Sequence, residues 1–234
     1  MLPKLPRIPK RQKAGKKPMI KLVAFDLDGT VANTLRDLAE AMNAALSAED
    51  LPTYPVEDYR HFVGNGIDNL VKVTMADAYT PEGAARVKEG FYAYYADHST
   101  DYTVAYEGVD RLLRQLTDDG ILTAVISNKP DRFVPFILAT LYPDHRFAYA
   151  WGQRPEFPRK PSPESLLSVI SLCGCEKSEV LYVGDSDVDV RFAHNAGVKV
   201  CGVSWGFRGA EELKTAGADM IVNSAKELYK AVKQ

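Results

Sequence analysis

Several absences narrow the field before any motif is read. The 234 residues contain no apolar stretch near the roughly 18 to 20 residues that cross a bilayer, and the N-terminus lacks the apolar run of a signal peptide. Neither membrane insertion nor export is expected. Cysteine is scarce: three residues cannot all pair with one another, which argues against a disulfide-built secreted module and for a reducing cytoplasm. Cys173 and Cys175 flank Gly174 with no second pair at zinc-site spacing, so they read as buried thiols. The four histidines (His61, His98, His145 and His194) are scattered and share no motif. Neither sign of charge dominates, since 29 Lys and Arg stand against 31 Asp and Glu.

That balance conceals an asymmetry. Eight of the basic residues lie within positions 1–21, which hold no acid, leaving 21 basic against 31 acidic residues in the rest. Pro3, Pro6, Pro9 and Pro18 disfavour helix there, and the segment has too little apolar surface to order itself, so residues 1–18 are expected to form a disordered basic tail. Nucleic-acid binding through this tail is not the expected role, and neither is contact with a membrane.

With 46% apolar and 26% charged residues, the chain has the composition of a globular protein able to bury a core unaided. Met19 to Phe25 is a near-continuous apolar run of the kind found in a strand buried on both faces. Ile121–Ile126, Val180–Val183 and Val198–Val203 repeat the pattern, and Asp219–Val222 reads as a short edge strand. Helical patterns at Val109–Thr117, Phe133–Leu141, Pro163–Leu172, Val188–Asn195, Glu211–Ala216 and Ala225–Val232 alternate with these strands. Such alternation predicts an α/β fold, a Rossmann-like parallel sheet with helices on both faces.

Between Asn33 and Ala105 the alternation stops. Leu35–Ala48, Val56–Phe62, Ile67–Ala78 and Glu82–Ala96 read as helices only. The expected organisation is a core of residues 19–32 and 106–234, with a helical cap of residues 33–105 inserted after the first strand. Tyr92, Tyr94 and Tyr95, with Phe91, read as packing aromatics of that cap.

Four polar segments share one address, the C-terminal ends of buried strands, where open α/β sheets place their ligands. Asp26-Leu27-Asp28-Gly29-Thr30 follows the first strand, and its carboxylates at i and i+2 can turn toward one site while Gly29 loosens the backbone. Ser127-Asn128-Lys129 follows the second, offering a hydroxyl and backbone N–H groups to an anionic oxygen. Lys160-Pro161 precedes a helix and offers a compact cation suited to phosphate. Gly184-Asp185-Ser186-Asp187-Val188-Asp189 follows the third buried run, and its clustered carboxylates suit Mg²⁺, a hard cation with a preference for oxygen. Asp187 reads as helix N-terminal acid, and Asp185, nearest the strand, as the better ligand.

Taken together and in this order, the four segments resemble the haloacid dehalogenase superfamily of hydrolases. The resemblance implies Asp26 as nucleophile, Asp28 as general acid/base, and Ser127, Asn128 and Lys160 as phosphate-binding residues. It also implies a Mg²⁺ ion held by Asp26, Asp28 (through its backbone) and Asp185, with Thr30 and Asp189 in support. An aspartate at position 28 favours phosphoryl transfer over dehalogenation, because a halide leaves without a proton. Gly64-Asn65-Gly66 in the cap is similar to a segment of phosphoglycolate phosphatases, and Ser127-Asn128-Lys129-Pro130 and Pro158-Arg159-Lys160-Pro161 point to the same branch. Gly-Asn-Gly before a helix offers free N–H groups to a small carboxylate, although such a segment also serves as a plain helix cap.

The implied activity is a Mg²⁺-dependent phosphatase acting on a small phosphorylated metabolite, with 2-phosphoglycolate favoured, working as a monomer or homodimer. Alternatives are another small phosphate ester, pyrophosphate, a β-phosphoglucomutase-like phosphotransferase, or a catalytically silent binding module. The binding module predicts no phosphate release.

Overall fold

A computed structural model describes residues 19–234, so the basic tail of residues 1–18 lies outside the described residues. The first strand, β1 (Leu22–Phe25), leads through a tight turn to the short β2 (Ala32–Asn33). Four helices follow: α1 (Leu35–Ala48), α2 (Tyr59–Phe62), α3 (Ile67–Met75) and α4 (Pro81–His98). The chain returns through β3 (Val104–Ala105) to α5 (Val109–Asp118), β4 (Leu122–Pro130), α6 (Val134–Leu141) and β5 (Tyr149–Gln153). Then come α7 (Glu164–Cys173), β6 (Val180–Gly184), α8 (Asp187–Ala196), β7 (Lys199–Val203), α9 (Gly209–Ala216), β8 (Met220–Val222) and α10 (Ala225–Val232). No helix among the described residues is long and apolar enough to cross a membrane.

Six strands form one parallel sheet in the order β5-β4-β1-β6-β7-β8, an α/β Rossmann-like arrangement with β1 near its centre. Alternate side chains of each strand feed opposite cores, as a period of two requires. Val23, Phe25, Val125, Leu181 and Val183 enter one apolar cluster, which continues into α1, α3 and α4. Leu22, Ala24, Ala124, Val180 and Tyr182 enter the other, against α7 and α8. Burial on both faces is why these strands read as continuous apolar runs.

Strand β5 is absent from the sequence reading. Tyr149–Gln153 is half-buried throughout, carries a glycine, and sits at the edge of the sheet, so it shows neither an apolar run nor clean alternation. Its pairing carries β4 to Pro130, and Ser127, Asn128 and Lys129 therefore extend the strand instead of following it as a loop. The single helix expected over Ile67–Ala78 ends at Met75 and tightens into a 3₁₀ turn.

The two crossings between the sheet and helices α1–α4 are tied to each other. Strands β2 and β3 pair antiparallel, Ala32 with Ala105 and Asn33 with Val104. Buried Asp37 on α1 accepts hydrogen bonds from the Tyr102 and Thr103 N–H groups (2.9 and 2.8 Å) and from Thr103 Oγ1 (2.6 Å). This charge-assisted cluster fixes where the returning chain meets α1. Within the helical layer α1 packs along α4, where Gly90 meets the Ala45 methyl closely.

Candidate active site

The polar segments meet at the C-terminal edge of β1, β4 and β6. Asp26 continues the β1 ladder, its N–H donating to Val183 O at 2.8 Å, so its position is inherited from the central sheet. Beyond it Leu27 O accepts from the N–H groups of Thr30, Val31 and Ala32, closing a tight turn. Gly29 sits in that turn at φ +83°, and a Cβ there would collide with the Asp185 carboxylate. Glycine is thus required twice, for its backbone conformation and for the close approach of Asp185.

Asp26, Asp185 and Asp189 present carboxylate oxygens within 4.8 Å of one another, all on buried residues. Lys160 Nζ stands 2.8 Å from Asp26 Oδ1 and 2.8 Å from Asp189 Oδ1, itself buried. Asp189 is fully engaged: Oδ1 also accepts from Tyr182 OH (3.1 Å), and Oδ2 accepts from Ser186 Oγ (2.7 Å) and Ser186 N–H (3.2 Å). Asp185 Oδ2 accepts from Phe207 N–H at 2.6 Å. Asp26 Oδ1 has no hydrogen bond of acceptable geometry despite its proximity to the ammonium.

One ammonium does not balance three carboxylates in a dry site. Burial, reinforced by Asp189 and Asp28 and opposed by Lys160, pushes Asp26 up to about 7. Burial followed by repulsion from Asp189 and Asp26 holds Asp185 well above the usual carboxylate range. Lys160 is raised instead: burial alone would lower it, but Asp189 and Asp26 outweigh the desolvation. A hard divalent cation fits this donor set, because all the donors are oxygens, the negative charge is in excess and Asp26 keeps an unsatisfied oxygen.

Asp28 stands apart from the acidic cluster. Its Oδ1 accepts from Thr34 Oγ1 (2.5 Å) and from Lys129 Nζ (2.9 Å), so its side chain faces the start of α1 and β4 instead of joining Asp185. Burial opposes the Lys129 ammonium, but Asp28 and Tyr95 outweigh it and raise its pKa. Thr30 is buried, and its carbonyl accepts from Trp205 Nε1 at 3.1 Å.

Asn128 links three parts of the site. Its side-chain oxygen accepts from Lys160 N–H at 2.9 Å, and its amide donates to Lys160 O (3.2 Å) and Gly64 O (3.0 Å). Ser127 Oγ accepts from Lys129 N–H at 3.2 Å. Asp26, Asp28, Ser127, Asn128 and Lys129 face a cavity of about 30 Å³. Leu38, Val63, Gly64, Gly66, Ile67 and Leu70 wall its other side. The sequence reading placed Gly64, Asn65 and Gly66 there; the two glycines line the cavity while Asn65 is exposed.

Two arginines also join the sheet to the helical layer, Arg208, which the sequence reading missed, and Arg159, which it quoted within Pro158-Arg159-Lys160-Pro161 without assigning it a contact. Arg208 donates to His61 O and Val63 O, both at 3.1 Å. Arg159 pairs with Asp68 on α3 and packs against Gly66. Both lie in loops, and their partners are distant in sequence, so no local pattern marks these contacts.

Residues 23–203 match the model of the haloacid dehalogenase-like hydrolase family. A phosphoglycolate phosphatase of Mannheimia succiniciproducens is 34% identical over 219 residues, covering 91% of this chain and 98% of the relative. That of Pseudomonas syringae pv. tomato is 34% identical over 220 residues, covering 92% and 80%. Among solved structures, one from Lactobacillus delbrueckii subsp. bulgaricus, provisionally named phosphoglycolate phosphatase, superposes with a TM-score of 0.88 at 31% identity, covering 92% of this chain and 99% of the other.

Proposed function

The chain belongs to the haloacid dehalogenase-like hydrolases, and from that membership we propose that it is a divalent-metal-dependent phosphatase for a small phosphomonoester, 2-phosphoglycolate in particular. The observation that carries the reading is the pairing of Asp26 with Lys160 at 2.8 Å beside a small cavity whose far wall is Gly64, Gly66 and the start of α3. A carboxylate poised to attack, a cation for the phosphoryl group and a cramped enclosure suit a small phosphate ester. The relatives named above carry the same activity in their names.

The chemistry follows from what each residue can do. Asp26 attacks phosphorus, the P–O ester bond breaks, and its electron pair leaves on the ester oxygen. Asp28 gives that oxygen its proton, so the leaving group departs as an alcohol. The enzyme now carries an aspartyl-phosphate on Asp26, which splits hydrolysis into two easier steps. Asp28, now a carboxylate, takes a proton from water as the water oxygen attacks phosphorus. The acyl phosphate P–O bond breaks, its electrons return to Asp26, and phosphate leaves.

Lys160, the Ser127 hydroxyl and the Asn128 backbone N–H hold the phosphoryl oxygens through both steps, while the Asn128 side chain is engaged by Lys160 and Gly64. Mg²⁺ would be held by Asp26, Asp185 and the backbone carbonyl of Asp28, with Asp189 and Thr30 in support, and when bound it supplies the positive charge that lets an anion approach an anion. Asp189 serves best as support because its oxygens are already occupied by Lys160, Tyr182 and Ser186.

The substrate carboxylate is received by N–H groups at the start of α3, where Gly66 at φ +80° precedes the first turn. A cavity of about 30 Å³ holds little more than one water molecule, so helices α1–α4 act as a cap that opens for substrate and closes over it. The enzyme works in the cytoplasm, where Cys173, Cys175 and Cys201 remain free thiols, as a monomer or homodimer.

The test is phosphate release from 2-phosphoglycolate, β-glucose 1-phosphate, p-nitrophenyl phosphate and pyrophosphate, with Mg²⁺ and with EDTA. Release that is led by 2-phosphoglycolate and abolished by EDTA is the expected result. Metal-dependent release led by another compound would keep the mechanism and discard the carboxylate argument, and no release from any of them would discard both.

A further inference from the structure

Lys129 is a charged residue in the heart of the protein that the chemistry above leaves without a task. Its side chain is only 1% exposed. An ammonium kept out of water is costly unless closely compensated, so a residue held there needs a reason. Its Nζ meets Asp28 Oδ1 at 2.9 Å and the face of the Tyr95 ring, 4.8 Å from the centroid.

Each of those neighbours is fixed in turn. Asp28 Oδ1 also accepts from Thr34 Oγ1 at 2.5 Å, and among the described residues nothing donates to Oδ2. The Tyr95 ring is stacked on Phe91 (centroids 5.2 Å apart, 13° between planes) and meets Phe133 edge-on at 4.9 Å. Tyr95 and Phe91 belong to α4, whereas Phe133 and Lys129 belong to the sheet layer, so Lys129 lies at the junction of the two. Tyr95 does not line the cavity beside Asp26.

We propose that Lys129 is a positioning residue that acts through Asp28: it clamps Oδ1 together with Thr34, leaves Oδ2 as the oxygen that gives and takes the proton, and through the Tyr95 ring makes that alignment depend on α4 being docked. The inference rests on the phosphatase reading of the site, since it assigns Lys129 to an acid/base that the reading supplies. Two donors on one oxygen remove the freedom of the carboxylate to rotate, and misplacement of a reacting group by about 1 Å can cost 10²-fold in rate. A cation held over an aromatic face on a different element transmits the position of that element to the carboxylate.

A double-mutant cycle tests this on wild type, Lys129→Met, Asp28→Asn and the double variant, with 2-phosphoglycolate and p-nitrophenyl phosphate in Mg²⁺. Thermal melts run alongside. Methionine keeps the length and removes the charge. Lys129→Met should lower kcat by about 30- to 100-fold with KM within about twofold, and should add less than about threefold to the loss already present in Asp28→Asn. Tyr95→Leu, which leaves all charges in place, should lower kcat in the wild-type background and have little effect in the Asp28→Asn background, so it carries the test if Lys129→Met does not fold.

Losses that multiply in the double variants would overturn the inference, because they would show that Lys129 and Tyr95 act independently of Asp28. A raised KM for 2-phosphoglycolate with kcat preserved would also overturn it, by making Lys129 a contact to the substrate carboxylate. Wild-type protein that releases no phosphate from either compound overturns the phosphatase reading itself and the inference with it. Wild-type turnover is measured first so that the two failures remain distinct.

Discussion

Removing the charge of Lys160 is the sharpest perturbation of the acidic cluster. Lys160→Met keeps the length of a side chain that is 3% exposed, but strands Asp26 and Asp189, each of which had the ammonium at 2.8 Å. Breaking a buried pair by deleting one partner costs about 3–5 kcal/mol. A carboxylate left in the interior escapes that cost only by taking up a proton. Proton uptake costs about 1.4 kcal/mol for each pH unit above a reference near 3.9, or about 1.5 kcal/mol at pH 5 and about 5 kcal/mol at pH 7.5.

The sign follows from linkage. A carboxyl whose folded pKa is raised carries no penalty below its unfolded pKa, and the penalty grows as pH rises toward the folded value. Asp26 already stands at about 7 in the wild type, so part of its penalty is present before the substitution. The expected loss for metal-free protein is therefore about 3–5 kcal/mol at pH 7.5 and about 1.5 kcal/mol at pH 5. Denaturant unfolding in EDTA at the two pH values reads it directly. A loss that is the same at both, or below about 1 kcal/mol at pH 7.5, would refute the view that Lys160 compensates a carboxylate cluster.

Three further outcomes follow from the same geometry. Asp26→Asn should lower phosphate release by about 10³-fold or more while preserving or raising the melting temperature of metal-free protein, because it removes a buried charge whose pKa is strained upward. Gly206→Ala would press a methyl group onto Asp185 and within 2.5 Å of Gly29 O; destabilisation of about 1–3 kcal/mol and a higher Mg²⁺ requirement are expected, and an unchanged metal titration would count against Asp185 as a ligand. Asp37→Ala leaves the Tyr102 and Thr103 N–H groups without their acceptor; a stability loss of about 1–3 kcal/mol should be joined by faster proteolysis between α4 and α5.

The sheet was legible because burial on both faces writes long apolar runs into β1, β6 and β7, and the positions of Asp26 and Asp185 follow from where those runs stop. Helices α1–α4 were legible as a departure from strand-helix alternation. Edge strand β5 was not, because half-burial leaves no periodic signature in Tyr149–Gln153.

The sequence alone therefore determined the fold class and which polar segments lie at the ends of the central strands, since both depend on local periodicity and on chain order. Tertiary structure alone decided how those segments are wired. Lys129 finds Asp28 across 101 residues, Arg208 reaches back 145 residues to Val63, and Lys160 is shared between Asp26 and Asp189 instead of serving only a substrate. Such pairs obey distance in space and the cost of leaving a buried charge alone, and neither quantity has a period that a linear chain can display.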